Sequence, residues 1–152
     1  MSNCVFCSIA SGSIDPELTV HEDDHVFVQI SLHQKPRNRG HVLVIPKNHV
    51  TNLFESPSIL DAPLLAAVRR ASTAVKKAFS ADGIQVRQNN GAAAGQDVFH
   101  LHFHVIPRYD EDNFEDADYE VLPLEERVAL ADQLKSFLTK EAKGDGMKPI
   151  QP

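Results

Sequence analysis

The chain has 152 residues, 42% hydrophobic and 24% charged, with a net charge of −6 at pH 7. That length suits one domain with a core that needs no staples, and the acidic balance argues against a general nucleic-acid binder. No apolar run approaches the roughly 18 residues of a membrane span, and the N-terminus lacks the basic and apolar regions of a secretory signal.

Residues 1–12 carry Cys4-Val5-Phe6-Cys7 and then a short helical turn at Ser8-Ile9-Ala10. These are the chain's two cysteines. Two thiols three apart form no disulfide framework, so reduced thiols and a cytoplasmic setting are expected. A lone Cys-x-x-Cys supplies two of the four ligands a tetrahedral zinc needs, and free cysteines are also good core residues.

Residues 18–22, 26–30 and 41–45 read as short strands, with a turn at Asp23-Asp24. Residues 31–40 are polar, contain Pro36 and Gly40, and read as a loop. Lys35, Arg37, Arg39, His41, Lys47 and His49 form a basic segment without one acid. It suits a small anionic ligand or is a basic surface loop. Asp61-Ala62-Pro63 is a helix start. Leu64, Leu65, Val68, Ala71, Val75, Ala78 and Phe79 follow at helical spacing, giving an amphipathic helix that ends near Gly83. Residues 84–89 are a fourth strand. Residues 90–96 are a small-residue loop, either a plain connection or a place where backbone N–H groups approach an anion.

Residues 98–108 alternate polar and apolar side chains, the pattern of a half-buried strand. His100, His102 and His104 then share one face, about 6–7 Å apart from one to the next. Phe99, Leu101, Phe103 and Val105 share the other and are expected in the core. Neutral imidazole is both a metal ligand and a nucleophile. The run of acids at 110–120 reads as a solvated loop. Residues 123–140 form a second amphipathic helix on Leu124, Val128, Ala131, Leu134 and Leu138. The domain is expected to span residues 1–142, with residues 143–152 a loose tail. Five strands in hairpin-like order and two main helices imply an α+β fold with an antiparallel sheet and the histidine strand inside it.

The run His-Leu-His-Phe-His-Val-Ile at 100–106 resembles the motif of the histidine-triad (HIT) family of nucleotide hydrolases and transferases. The resemblance extends from Cys4-Val5-Phe6-Cys7 through Gly40-His41-Val42-Leu43-Val44-Ile45-Pro46-Lys47-Asn48-His49 to Pro107-Arg108, about 105 residues. It implies the HIT-like fold and a homodimer built on the long helix and the strand beside it. It implies attack on the α-phosphorus of a purine nucleotide conjugate, a phosphoramidate or a dinucleoside polyphosphate, through a covalent nucleotidyl-histidine at His102. The carbonyl of His100 would orient that ring, His104 would touch the phosphate, and His41 would support the nucleophile. Gln96 and Asp97 would bind phosphate oxygens. Asn89 would lie near the leaving group or sugar, Gln29 at a ribose position, and Phe6 and Ile30 beside the base. Cys4, Cys7, His49 and His100 would hold a structural zinc, as in the family's zinc-bearing branch.

Three departures stand out. Asp97 replaces the usual Ser or Thr, Gln29 replaces a ribose-binding acid, and the 31–40 loop is longer than usual. Arg37 and Arg39 on that loop would then favour a longer polyphosphate. Two other readings stay open: a nucleotide-binding regulatory protein without turnover, and a metal centre formed by the triad itself.

Overall fold

The computed structural model describes residues 3–141, so the expected tail at 143–152 lies outside the described residues. The elements are α1 (Val5–Ala10), β1 (Thr19–Glu22), β2 (Val26–Ile30), β3 (His33–Gln34), β4 (Val42–Pro46), α2 (Asp61–Ala78), β5 (Gly83–Arg87), β6 (Phe103–Arg108), β7 (Glu120–Val121) and α3 (Leu124–Glu141). The five-stranded sheet runs β1-β2-β4-β6-β5 and is antiparallel throughout, so the expected α+β architecture is what forms. No helix among the described residues is long and apolar enough to cross a membrane.

Period-two alternation sorts this sheet into two faces. Val26, Val28, Val42, Val44, Leu101 and Val105 join Leu64, Val68, Val75 and Leu134 in one buried cluster under α2 and α3. Phe27, Leu43 and Ile45 face the other way and pack with Phe6 of α1. Every residue of β2 and β4 is buried, because these central strands are covered on both sides.

A second sheet pairs β3 with β7, inside segments whose polar composition reads as loop. The basic and acidic segments grip each other here. Arg39 Nη2 meets Glu120 Oε2 at 2.6 Å, and Arg37 donates to the Glu111 carbonyl. Both arginines are therefore engaged by the acidic segment. Lys35 is buried, donates to the Phe114 carbonyl and stands 3.9 Å over the Phe114 ring. Gln34 closes the base of the 31–41 loop, donating to the Ser31 and His41 carbonyls and accepting from the Gly40 and His41 N–H groups. Gly40 adopts φ +105°, where a Cβ would run into the Phe79 ring.

The acidic run is not wholly solvated. Asp112 is buried and accepts from Arg108 Nε and Nη2, Asn38 Nδ2, and the Tyr109 and Phe114 N–H groups. The Arg108 guanidinium leads these donors in holding its carboxyl far below the usual carboxylate range. Asp112→Ala is expected to lower unfolding free energy by about 3 kcal/mol, since it strands several buried donors. Urea denaturation at pH 7 measures this. The stabilisation is complete above the unfolded carboxyl value near 4 and is lost as pH falls toward the depressed folded value. The gap between wild type and variant should therefore narrow in strong acid.

Candidate functional site

One row of residues crosses the sheet on the α1 side. Gln29 of β2 pairs with Leu43 of β4, Leu43 with His104 of β6, and His104 with Arg87 of β5. Directly opposed residues share a face, so the row is continuous, and it lines a cavity of about 590 Å³. That volume suits a small organic ligand. Over β2 and β4 the wall combines the apolar Phe6, Ile9 and Leu43 with the Gln29 amide; the far end carries Arg87, Asn89 and Tyr119.

The histidines do not all lie on a regular strand. β6 begins at Phe103, and His100 and His102 belong to the segment before it. Leu101 bonds there to the Val50 carbonyl instead of to a sheet neighbour. The departure releases Phe99, expected in the core, to 51% exposure, while Leu101 and Val105 are buried as alternation requires.

Backbone carbonyls set the tautomers of His41 and His102, and His41 in turn sets that of His104. A carbonyl only accepts, so His102 Nδ1 must carry the proton it shares with the His100 carbonyl at 2.7 Å. The remaining lone pair of a neutral His102 is on Nε2, and this residue lines the cavity. His41 Nδ1 donates to the His33 carbonyl at 3.2 Å, so its Nε2 accepts from His104 Nδ1 at 3.0 Å. The hydrogen-bond partner of His41 is thus His104, where the expectation had been direct support of His102. Burial, and then repulsion between the two rings, lower His41 to about 3; burial, then the neighbouring His102, lower His104 to about 4. Arg87 adds to both effects.

A depressed histidine value makes acid destabilising. Between the usual 6.5 and about 3 the unfolded chain binds a proton at His41 that the folded chain refuses. Stability should fall as pH drops through that window, by on the order of 2 kcal/mol from this one ring between pH 8 and pH 5. Urea titrations at the two pH values check it, and His41→Gln should flatten the profile by that amount.

The other expected residues fall into two groups. Phe6 is buried, its ring centroid 5.1 Å from His102 and edge-on. Gln29 lines the cavity and accepts from Thr19 Oγ1; Asn89 lines it and donates to the Gly95 carbonyl. Asp97 lines it too, its carboxylate accepting from the Val98 N–H. Ile30 borders the cavity but shares the parity of Val26 and Val28 and belongs to the helix-side core. Gln96 is turned inward: its amide donates to the Thr51 and Val98 carbonyls and accepts from the Gly91 N–H. It braces the 91–96 loop and does not line the cavity. Arg87, Tyr119 and the β3 residue His33, which also line it, were not anticipated. The same alternation that places Asn89 on this face places Arg87 there, two residues earlier.

Behind the triad, donor atoms of Cys4, Cys7, His49 and His100 all lie within 4.8 Å of one another. Cys4 Sγ is 3.3 Å and Cys7 Sγ 3.7 Å from His100 Nδ1, and Cys7 Sγ is 3.4 Å from His49 Nδ1. Bonds of about 2.1 Å to nitrogen and 2.3 Å to sulfur put tetrahedral zinc ligands roughly 3.4–3.8 Å apart, so the group fits. His100 Nε2 donates to the Pro46 carbonyl at 2.8 Å, which leaves Nδ1 as the free lone pair facing the thiols. His100 therefore turns its ring to the metal group and its carbonyl to His102.

Fold and site together define a class: a sheet domain carrying three spaced histidines, one turned toward a Cys-Cys-His-His group and two into a nucleotide-sized cavity. Residues 14–111 match the HIT domain. Protein hit of Bacillus subtilis (strain 168) is 42% identical over 107 residues, 70% of this chain and 72% of that protein. Adenylylsulfatase HINT3 of Arabidopsis thaliana is 41% identical over 111 residues, 73% of this chain and 55% of that protein. The crystal structure of a zinc-bound histidine triad family protein from Mycobacterium smegmatis superposes with TM-score 0.80 at 32% identity, covering 95% of this chain and 99% of that one. The chain belongs to the HIT family.

Proposed function

We propose that this chain is a nucleotidyl hydrolase or transferase that cleaves purine nucleotide conjugates at the α-phosphate through a covalent intermediate on His102. The observation that carries the reading is the hydrogen bond from His102 Nδ1 to the His100 carbonyl. It fixes the ring and leaves the Nε2 lone pair on a residue that lines the cavity. The HIT domain and the likeness to an adenylylsulfatase support it.

Nε2 attacks the α-phosphorus, a P–N bond forms, and the bond to the leaving group breaks with its electron pair. Water or another acceptor then breaks the P–N bond and releases the nucleoside monophosphate. His104, already donating Nδ1–H to His41, holds a lone pair on Nε2. To donate to a phosphate oxygen it must take up a second proton, which the phosphate's negative charge favours. Phe6, Ile9 and Leu43 would cover the base, with Gln29 near the sugar. Cys4, Cys7, His49 and His100 would hold a structural zinc, fixing the backbone that aims His102. A homodimer fits the exposed Val86 on edge strand β5 and the exposed Leu65 on α2.

The test is turnover of adenosine 5′-phosphoramidate and diadenosine tetraphosphate, with rapid quench and mass spectrometry of the His102 peptide. A nucleotidyl adduct on that peptide is the expected result. Binding without turnover of either compound would leave the regulatory reading instead.

A further inference from the structure

The cross-strand row has a direction. Its β2 position is Gln29, its β4 position is Leu43 beside Phe6 and Ile9, its β6 position is His104, and its last position, on β5, is Arg87. A nucleotide whose base lies against Phe6 and whose α-phosphorus meets His102 must send its leaving group outward over β5. Arg87 is one strand spacing beyond His104, roughly 5 Å away. It is a cation at that end, and among the described residues it forms no ion pair. Its Nη2 donates to the Tyr119 hydroxyl and its guanidinium carbon lies 5.6 Å from the Phe114 ring centroid, while its Nε is buried without a partner. The guanidinium is thus held in place with donor capacity unused. On the loop rim, the Val98 N–H donates to the Asp97 carboxylate.

Building on the reading of His102 as the attacking group, we propose that Arg87 binds an oxyanion on the leaving-group side of the scissile bond. The site then selects conjugates that expel a phosphate or sulfate over those that expel an uncharged amine. When the P–O bond breaks, its electron pair goes to the leaving oxygen, and the guanidinium N–H groups stabilise that charge directly. An oxyanion leaves without needing a proton, whereas an amine needs one. The charge of Arg87 disfavours protonation of both His41 and His104, and at His104 the Asp97 carboxylate opposes it.

The test compares wild type, Arg87→Met and Arg87→Lys on three compounds sharing one adenosine 5′-phosphate half. These are diadenosine tetraphosphate, adenosine 5′-phosphosulfate and adenosine 5′-phosphoramidate. In Arg87→Met the ratio of kcat/KM for an oxyanion substrate to that for the phosphoramidate should fall about 10- to 100-fold, with partial recovery in Arg87→Lys. A larger fall on the tetraphosphate assigns the subsite to a phosphate chain; a larger fall on the phosphosulfate assigns it to a single sulfate-like group. An equal loss on all three compounds, or no loss, overturns the proposal and makes Arg87 a brace for Tyr119. Thermal melting confirms folding, and Arg87→Gln carries the same comparison if the methionine variant unfolds. Failure of wild type to form the His102 adduct with any of the three would defeat the underlying reading. A labelled His102 with an unchanged ratio defeats the Arg87 assignment alone.

Discussion

His102→Asn is expected to reduce kcat/KM by at least about four orders of magnitude on any nucleotide conjugate the wild type turns over, because it removes the atom that bonds to phosphorus. Asparagine keeps a polar side chain of similar reach, so affinity for the product adenosine monophosphate should stay within about threefold, read by calorimetry. The loss belongs in kcat and not in KM. A contrast with His104→Asn sharpens this. His104 would touch the phosphate without bonding to phosphorus, so its loss should cost on the order of 10²-fold. If His102→Asn keeps even a tenth of wild-type turnover, the covalent route is excluded, however well the ring is aimed.

Removal of the metal ligands should be the largest single loss of stability. Wild type is expected to carry about one zinc per chain by elemental analysis, and Cys4→Ser well under half of that. Unfolding free energy should fall by roughly 4 kcal/mol, or about 10 °C in Tm for a chain of this size. The core under α2 and α3 does not depend on the group, which is why the loss should be partial and not complete unfolding. Burial, then the adjacent Cys4 thiol, push the Cys7 thiol upward. A bound cation would reverse this and release protons, so zinc affinity should weaken as pH falls. Equal metal content in wild type and Cys4→Ser would remove the zinc assignment. A secondary effect follows from geometry. His100 contributes its ring to this group and its carbonyl to His102, so kcat in Cys4→Ser should drop by a modest factor even where the chain stays folded.

The two groups share one residue, and local pattern could not divide it. Alternation over 98–108 put three histidines on one face, and the chemistry of imidazole narrowed that face to metal binding or nucleophilic attack. The family resemblance implied the division, and packing shows it: the ring of His100 turns to Cys4 and Cys7, while His102 and His104 turn to the cavity. The strand starting at Phe103, not five residues earlier, has the same origin. Alternation says which side chains are apolar, but hydrogen-bond partners decide where a ladder begins, and Leu101 found Val50. Gln96 illustrates a further limit: a polar side chain in a small-residue loop looks free for a ligand until the loop's own carbonyls are seen to consume it.

What the amino-acid order determined by itself was local: the strands of the main sheet to within a few residues, the two main helices, the α+β class, and the donor types able to hold zinc. Period-two and helical spacing are set within a few residues, and so they survive without knowledge of the rest of the chain. What only the tertiary structure decided was register and reach. It placed Arg87 opposite His104, joined His41 to His104, and folded the basic 31–40 segment onto the acidic 110–120 segment. These depend on which strand lies beside which, and a shift of one residue would turn each of those side chains to the other face of the sheet.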